Sequence, residues 1–146
     1  MKFARVSVDN AIICDDVRRE AGGKSFIIGG WALDFIVPSY PADLTFVVRC
    51  EGSVHESGNI QPRIKVLDGN GGILYDSDSS NKMDPSQFTK GRYGIDFPVY
   101  VQATRSTTLS FYINMGDEEI LAAQRRVELI DVMLKEREVE IEKLNS

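Results

Sequence analysis

The sequence predicts a mainly β protein: an antiparallel β-sandwich of seven or eight strands, immunoglobulin-like or of a similar kind, followed by one long C-terminal α-helix. Three observations carry that expectation. Short segments rich in Val, Ile, Phe, Tyr and Thr recur between turn residues over the first 116 positions. All 12 Gly and all 5 Pro lie at or before Gly116, and residues 117–146 contain neither, which is the composition of an uninterrupted helix. Within that last segment apolar residues return every seven positions.

The strand-like segments are 3–8, 11–14, 25–37, 44–50, 63–67, 73–75, 93–102 and 107–114. Asp68-Gly69-Asn70-Gly71 stands between two of them and supplies positive φ at low cost, so it reads as the clearest hairpin. No amphipathic helix alternates with the strands, which argues against βαβ units and a parallel sheet. Pro38, Pro41, Pro62, Pro85 and Pro98 mark loops, strand ends or edges.

The helix is expected over 117–146, capped by Asp117 with Glu118 and Glu119 in its first turn. Ile120, Val127, Leu134 and Ile141 form one spacing-seven series, and Ala123, Ile130, Arg137 and Leu144 form the second, with Arg137 its one polar break. Some 28 helical residues would run about 42 Å, against a radius of gyration of about 13 Å for a domain near 100 residues. The sequence therefore divides into a sandwich domain, 1–116, and an oligomerisation segment, 117–146. Charge divides the same way: 117–146 carry nine acidic and five basic residues, whereas 1–116 carry thirteen and twelve. Arg137 would either weaken a long dimer locally or pair with an acidic neighbour such as Glu138 or Glu140 across chains, and it leaves oligomer number and strand direction open.

At 146 residues the chain suits one buried core and is too short for two ordinary domains. A formal net charge of -5 argues against nucleic acid as the partner, since phosphate binding would need a local basic patch on an acidic background. Arg5 and Asp9 interrupt any signal-like apolar run, and residues 26–37, broken by Asp34, fall short of the roughly 18–20 residues that span a bilayer. The expectation is a cytoplasmic protein with no membrane span. Cys14 and Cys50 then read as reduced, buried small hydrophobes in strands.

Several chemical constellations are present only in part. Residues 21–25, AGGKS, copy the end of a phosphate-binding loop, but the required upstream glycine is Arg18 and a strand-like segment follows where a helix is needed. Asp15, Asp16, Asp76 and Asp78 are candidate metal ligands in acidic loops, yet no calcium-loop pattern is completed and residues 76–81, DSDSSN, equally have the composition of a solvated turn. His55, the single histidine, would have to work with Cys50, Cys14 or a serine; it lies in a polar stretch whose orientation toward Cys50 is unspecified. The aromatics Trp31, Phe35, Phe46, Phe97, Tyr100, Phe111 and Tyr112 fall in strands and read mostly as core, with Tyr40, Tyr75 and Tyr93 nearer loops.

Residues 11–29, AIICDDVRREAGGKSFIIG, resemble the opening of a family of small bacterial and phage-associated proteins described only as a domain of unknown function. The resemblance extends more loosely over Val37-Pro38 and Phe46-Val47-Val48-Arg49, and departs at Gly30-Trp31, where the family tends to read Gly-Val-Tyr after Ile-Gly. It implies a β-sandwich and brings no catalytic residues to carry over.

These observations predict a non-catalytic binding or scaffold module that self-associates through its C-terminal helix, with no cofactor and with room for a further protein partner. The interface residues are Ile120, Ala123, Val127, Ile130, Leu134, Arg137, Ile141 and Leu144. The alternative is a small-ligand protein, for a nucleotide-like molecule or a metal ion, with its site in sandwich loops or at an oligomer interface. A hydrolase built on Asp15, Asp16, Asp76 or Asp78 ranks behind both.

Overall fold

The computed structural model describes residues 2–20, 24–31, 33–78, 88–89, 91–116 and 118–146. Among the described residues ten strands precede one helix: β1 (Arg5–Arg19), β2 (Ser25–Gly30), β3 (Phe35–Val37), β4 (Ala42–Glu56), β5 (Arg63–Leu67), β6 (Ile73–Asp76), β7 (Phe88–Thr89), β8 (Arg92–Ala103), β9 (Thr107–Asn114), β10 (Glu119–Leu129) and α1 (Ile130–Leu144). They form two five-stranded sheets, ordered β2-β1-β4-β8-β7 and β3-β10-β9-β5-β6. The mainly β sandwich with a C-terminal helix is thus present, and its pairings are antiparallel except for β3 beside β10, which is parallel.

Alternation within the strands builds the core. Phe46, Val48 and Cys50 of β4, Ile95, Phe97, Val99 and Val101 of β8, Ile64 and Val66 of β5, and Leu109, Phe111 and Ile113 of β9 are all buried because every second side chain of a strand points to one face. The two sheets meet through aromatic rings. Phe35 lies 5.0 Å from Phe46, and Phe46 meets Phe111 edge-on at 5.7 Å, so one sheet's central strand touches the other's. The hairpin at residues 68–71 forms as its composition predicts: Asp68 accepts the Asn70 and Gly72 amides at 2.9 and 2.8 Å, and Gly71 takes a φ of 81°.

Three boundaries differ from the sequence expectation. Segments 3–8 and 11–14 fuse into β1, whose register with β4 shifts between Arg5 and Val6 and, at a bulge, between Val8 and Asn10. There Gly52 of β4 lies so close to the Ser7 carbonyl and the Tyr93 ring that a Cβ would collide with both. Segment 25–37 divides instead of running on: Gly29 adopts a φ of 66°, β2 ends at Gly30, and β3 enters the other sheet beside β10. Third, β1 curls. Arg19, at its far end, bonds Asp96 of β8, whose partner Arg49 on β4 stands opposite Ile12. Seven extended residues separate Ile12 from Arg19, about 23 Å, so the β1–β2 arm folds back across the outer face of its sheet.

The largest correction concerns the expected helix over 117–146. Its first half is β10, a strand between β9 and β3, and the helix is the 15-residue α1. A bulge explains why the pattern imitated a heptad. Ile120 pairs with Ile113 and Ala123 with Phe111, leaving Ala122 as the extra residue, so an inward-facing step of two becomes three. Ile120, Ala123 and Val127 consequently hold helix-like spacing while lying on a strand, and Val127 is fully buried in the core. The expected division at Gly116 fails with it, because the second sheet continues to Leu129. The Asp117 cap falls outside the described residues.

The ring that joins the sheets is removed by Phe46→Ala, which is expected to cost about 3–5 kcal/mol in a denaturant titration. A chain ending at Gly116 loses an interior strand and will show no cooperative unfolding transition, whereas one ending at Leu129 will retain it.

Candidate interaction site

The junction of β10 and α1 gathers polar groups into one network. Glu128, next to the end of β10, is buried, and an unpaired carboxylate there would carry a large desolvation cost. It is fully engaged: Ser106 Oγ donates to its Oε2 at 2.7 Å, Arg126 Nη2 donates to the same oxygen at 2.8 Å, and the Leu129 amide donates to Oε1 at 2.8 Å. These donors hold the Glu128 carboxyl below the usual carboxylate range, the Ser106 hydroxyl contributing most. Arg126 then reaches onto the helix, donating through Nη1 and Nη2 to the two oxygens of Glu136 at 2.8 and 2.9 Å. That fork lowers the pKa of Glu136 and raises that of Arg126.

The helix begins without a loop. Leu129 is its N-cap in an extended conformation with no side-chain cap bond, and Asp131 supplies the favourable first-turn charge. Only Met133 of α1 is buried. At 100° per residue Ile130, Leu134, Arg137, Ile141 and Leu144 share one stripe, and its four apolar members are 44%, 49%, 56% and 84% exposed. Arg137, half-buried in the middle of that stripe, has no ion-pair partner among the described residues. The expected interface set is therefore split. Ile120, Ala123 and Val127 serve the sheet, while Ile130, Leu134, Arg137, Ile141 and Leu144 stand together on α1. β2 offers a second apolar surface: it is an edge strand with Phe26, Ile27 and Ile28 exposed and Lys24 Nζ 5.1 Å from the Phe26 ring centroid.

The acidic candidates are separated. Asp15 Oδ1 accepts from Trp31 Nε1 at 3.0 Å, and Asp16 Oδ1 from the Val17 amide at 2.8 Å. Asp76 takes a two-pronged bond from Arg63 that pulls its pKa down to about 2, and its Oδ1 also accepts from the Asp78 amide. No group of three or more His, Cys, Asp or Glu residues able to hold a metal occurs among the described residues. Residues 21–23 of the phosphate-loop-like stretch lie outside them. No helix among the described residues is long and apolar enough to cross a membrane.

His55 stands with a serine and a carboxylate, an association whose members the sequence left open. Its Nε2 is 3.0 Å from Ser7 Oγ, Ser7 Oγ donates to Asp9 Oδ1 at 2.8 Å, and Ser53 Oγ donates to Asp9 Oδ2 at 2.8 Å. Those two hydroxyls hold the Asp9 carboxyl below its usual range. The order of contacts differs from a catalytic relay, in which the serine proton goes to the imidazole and the carboxylate orients the ring. Here Ser7 Oγ stands between the carboxylate and the imidazole, so Asp9 contacts the serine and does not orient the ring. The cluster ties β1 to β4 beside the bulge. Cys50 lies on the opposite, buried face of β4, where burial pushes its thiol up to about 12, so no Cys–His pair forms. Cys14 is a buried free thiol as well, and both thiols match the sequence expectation.

No protein-family model matches the chain, and no curated protein and no solved structure matches it.

Because Glu128 and Glu136 titrate below their ordinary value of 4.5 in the folded chain, their contribution is complete above that value and is lost as the pH falls through the folded pKa values. Glu136→Gln should therefore lower Tm more at about pH 7 than at about pH 3, because the wild-type carboxylate loses its contribution as the pH falls toward and through its depressed pKa. Thermal unfolding of both chains at the two pH values measures it.

Proposed function

We propose that the chain is a non-catalytic β-sandwich binding or scaffold module that self-associates through α1. One observation carries the reading: Ile130, Leu134, Ile141 and Leu144 line one exposed face of a helix whose attachment to its own sandwich, made beside that face by Met133 and the Arg126–Glu136 fork, leaves them uncovered. A helix serving only its own fold would turn that stripe inward. The unpaired Arg137 at the stripe's centre, with Glu138, Glu140 and Glu142 also lacking ion-pair partners among the described residues, gives a second copy of the chain a charge match.

The scale of the surface sets the strength. Fifteen residues make a helix of about 22 Å, and two such helices bury an area at the low end of specific interfaces. The association this supports is reversible and concentration-dependent. The resemblance of residues 11–29 to proteins of unknown function agrees with a sandwich and adds no site residues.

Light scattering on the full chain across a concentration series tests the reading. The expected result is a mass that rises with concentration for the wild type and stays at one chain for Leu134→Glu/Ile141→Glu, both exposed positions that leave the core intact. Val127 is unsuitable for this test because it belongs to the core. A wild-type mass of 16.3 kDa at every concentration overturns the proposal.

A further inference from the structure

We infer that the arm made by residues 15–19 of β1 together with β2 is a strap that opens from the outer face of its sheet while the sandwich stays folded, and that Arg19 on Asp96 is its latch.

The burial of Cys14 shows what the arm covers. Ile13 belongs to the core and Cys14 follows it, so Cys14 faces out of the sandwich, opposite Val47 of β4. An outward side chain on a sheet whose other face is the core ordinarily meets solvent, yet Cys14 is fully buried. Arg49 of β4 and Asp96 of β8 stand opposite one another on the same outer face, and their side chains are 12% and 18% exposed. Burial raises the Cys14 thiol, and the carboxylates of Asp96 on the sheet and of Asp15 and Asp16 on the arm raise it further. The sulfur thus has charges of both arm and sheet about it.

Asp96 divides its carboxylate between the two. Arg19 donates to Oδ2 through Nε at 3.0 Å and through Nη2 at 2.6 Å, while Arg49 donates to Oδ1 through Nη1 at 3.0 Å. Arg49 lies close over Gly94, where a Cβ would come within 2.5 Å of its Nη2. The sheet therefore presents Asp96 at a fixed place, and the arm reaches it with a single guanidinium. At its root the arm is pinned by the Trp31 amide on the Ile13 carbonyl at 2.7 Å and by Trp31 Nε1 on Asp15.

Between root and latch the arm adds nothing to the core. No residue of β2 is buried, and residues 15–19 are half-buried or exposed. A segment held by few apolar contacts opens well below the free energy of global unfolding. Opening would release Cys14 and leave Cys50, inside the core, where it is.

The two cysteines therefore read local and global opening separately. The full chain in native buffer is treated with N-ethylmaleimide, and the initial labelling rate of each cysteine is followed by peptide mass. Cys14 is expected to react at least about tenfold faster than Cys50. Arg19→Met removes the latch and leaves Asp96 paired with Arg49; it should speed labelling of Cys14 about three- to tenfold and leave Cys50 unchanged. In the wild-type chain, raising salt from about 0.1 M to about 1 M should speed Cys14 relative to Cys50, and Arg19→Met should remove that dependence. Equal rates at the two cysteines in the wild type mean that the arm opens only with the whole fold, and overturn the inference. An unchanged Cys14 rate in Arg19→Met, or equal acceleration of both thiols, overturns the role of Arg19 as the latch. Should that variant fail to fold, the wild-type salt series decides the same point, and a Cys14 rate independent of salt overturns it.

Discussion

A buried carboxylate at the end of an interior strand has to be given partners, and at Glu128 that requirement organises the junction between sheet and helix. The loop before β9 supplies Ser106, β10 supplies Arg126, and the first peptide of the helix supplies the Leu129 amide. Each donor comes from an element that must be in place before the carboxylate is satisfied. The amide bond matters twice, because it also occupies one of the backbone donors that a helix start leaves unmatched. Leu129 has no side-chain cap, and Glu128 does that work from the preceding residue.

The same network explains how a strand becomes a helix with no intervening turn. β10 is held on both sides, by β9 and β3, and by the buried Val127 beneath. Its path is thus fixed up to Leu129. Beyond that point α1 is joined to the sandwich by one buried methionine and one guanidinium fork. The Arg126 side chain bridges Glu128 and Glu136, so the last rigid strand position and the second helical turn share a single cation. Few apolar contacts back this up, and α1 should open at lower free energy than the strands.

The sandwich was legible because its strands alternate: Phe46-Val47-Val48-Arg49-Cys50 and Leu109-Ser110-Phe111-Tyr112-Ile113 show period two directly, and the Asp68–Gly71 turn carries its own geometry. Two features hid the rest. A bulge at Ala122 converted the period of β10 into one that a helix also satisfies, and the lack of Gly and Pro after Gly116 removed the punctuation that would have marked the change of structure. Leu129 gives no cap signal, since the group that performs the capping is a residue earlier and acts through the tertiary network. On α1 itself the stripe Ile130–Leu144 was readable. So was the oddity of Arg137, because helical spacing operates there without interruption. The Ser7, Asp9, Ser53 and His55 cluster was not readable, since it depends on the register of β1 with β4 across a bulge.

Two of the exposed apolar surfaces among the described residues differ in their chemistry. β2 presents Phe26, Ile27 and Ile28 at a sheet edge, where unpaired backbone groups invite another strand. Its six residues are closed off by Lys24 lying over the Phe26 ring at one end and by the left-handed Gly29 at the other. A charge and a kink are the devices by which edges avoid pairing. Nothing comparable terminates the stripe on α1. Its single polar member, Arg137, sits at the centre instead of the margin, where it does not shield the apolar residues but sets a condition on what covers them. A wholly apolar stripe would accept any apolar surface. Were one with a guanidinium in its middle to be covered, a surface that places a carboxylate there would be favoured over one that leaves the charge unpaired, which is a source of selectivity rather than of strength.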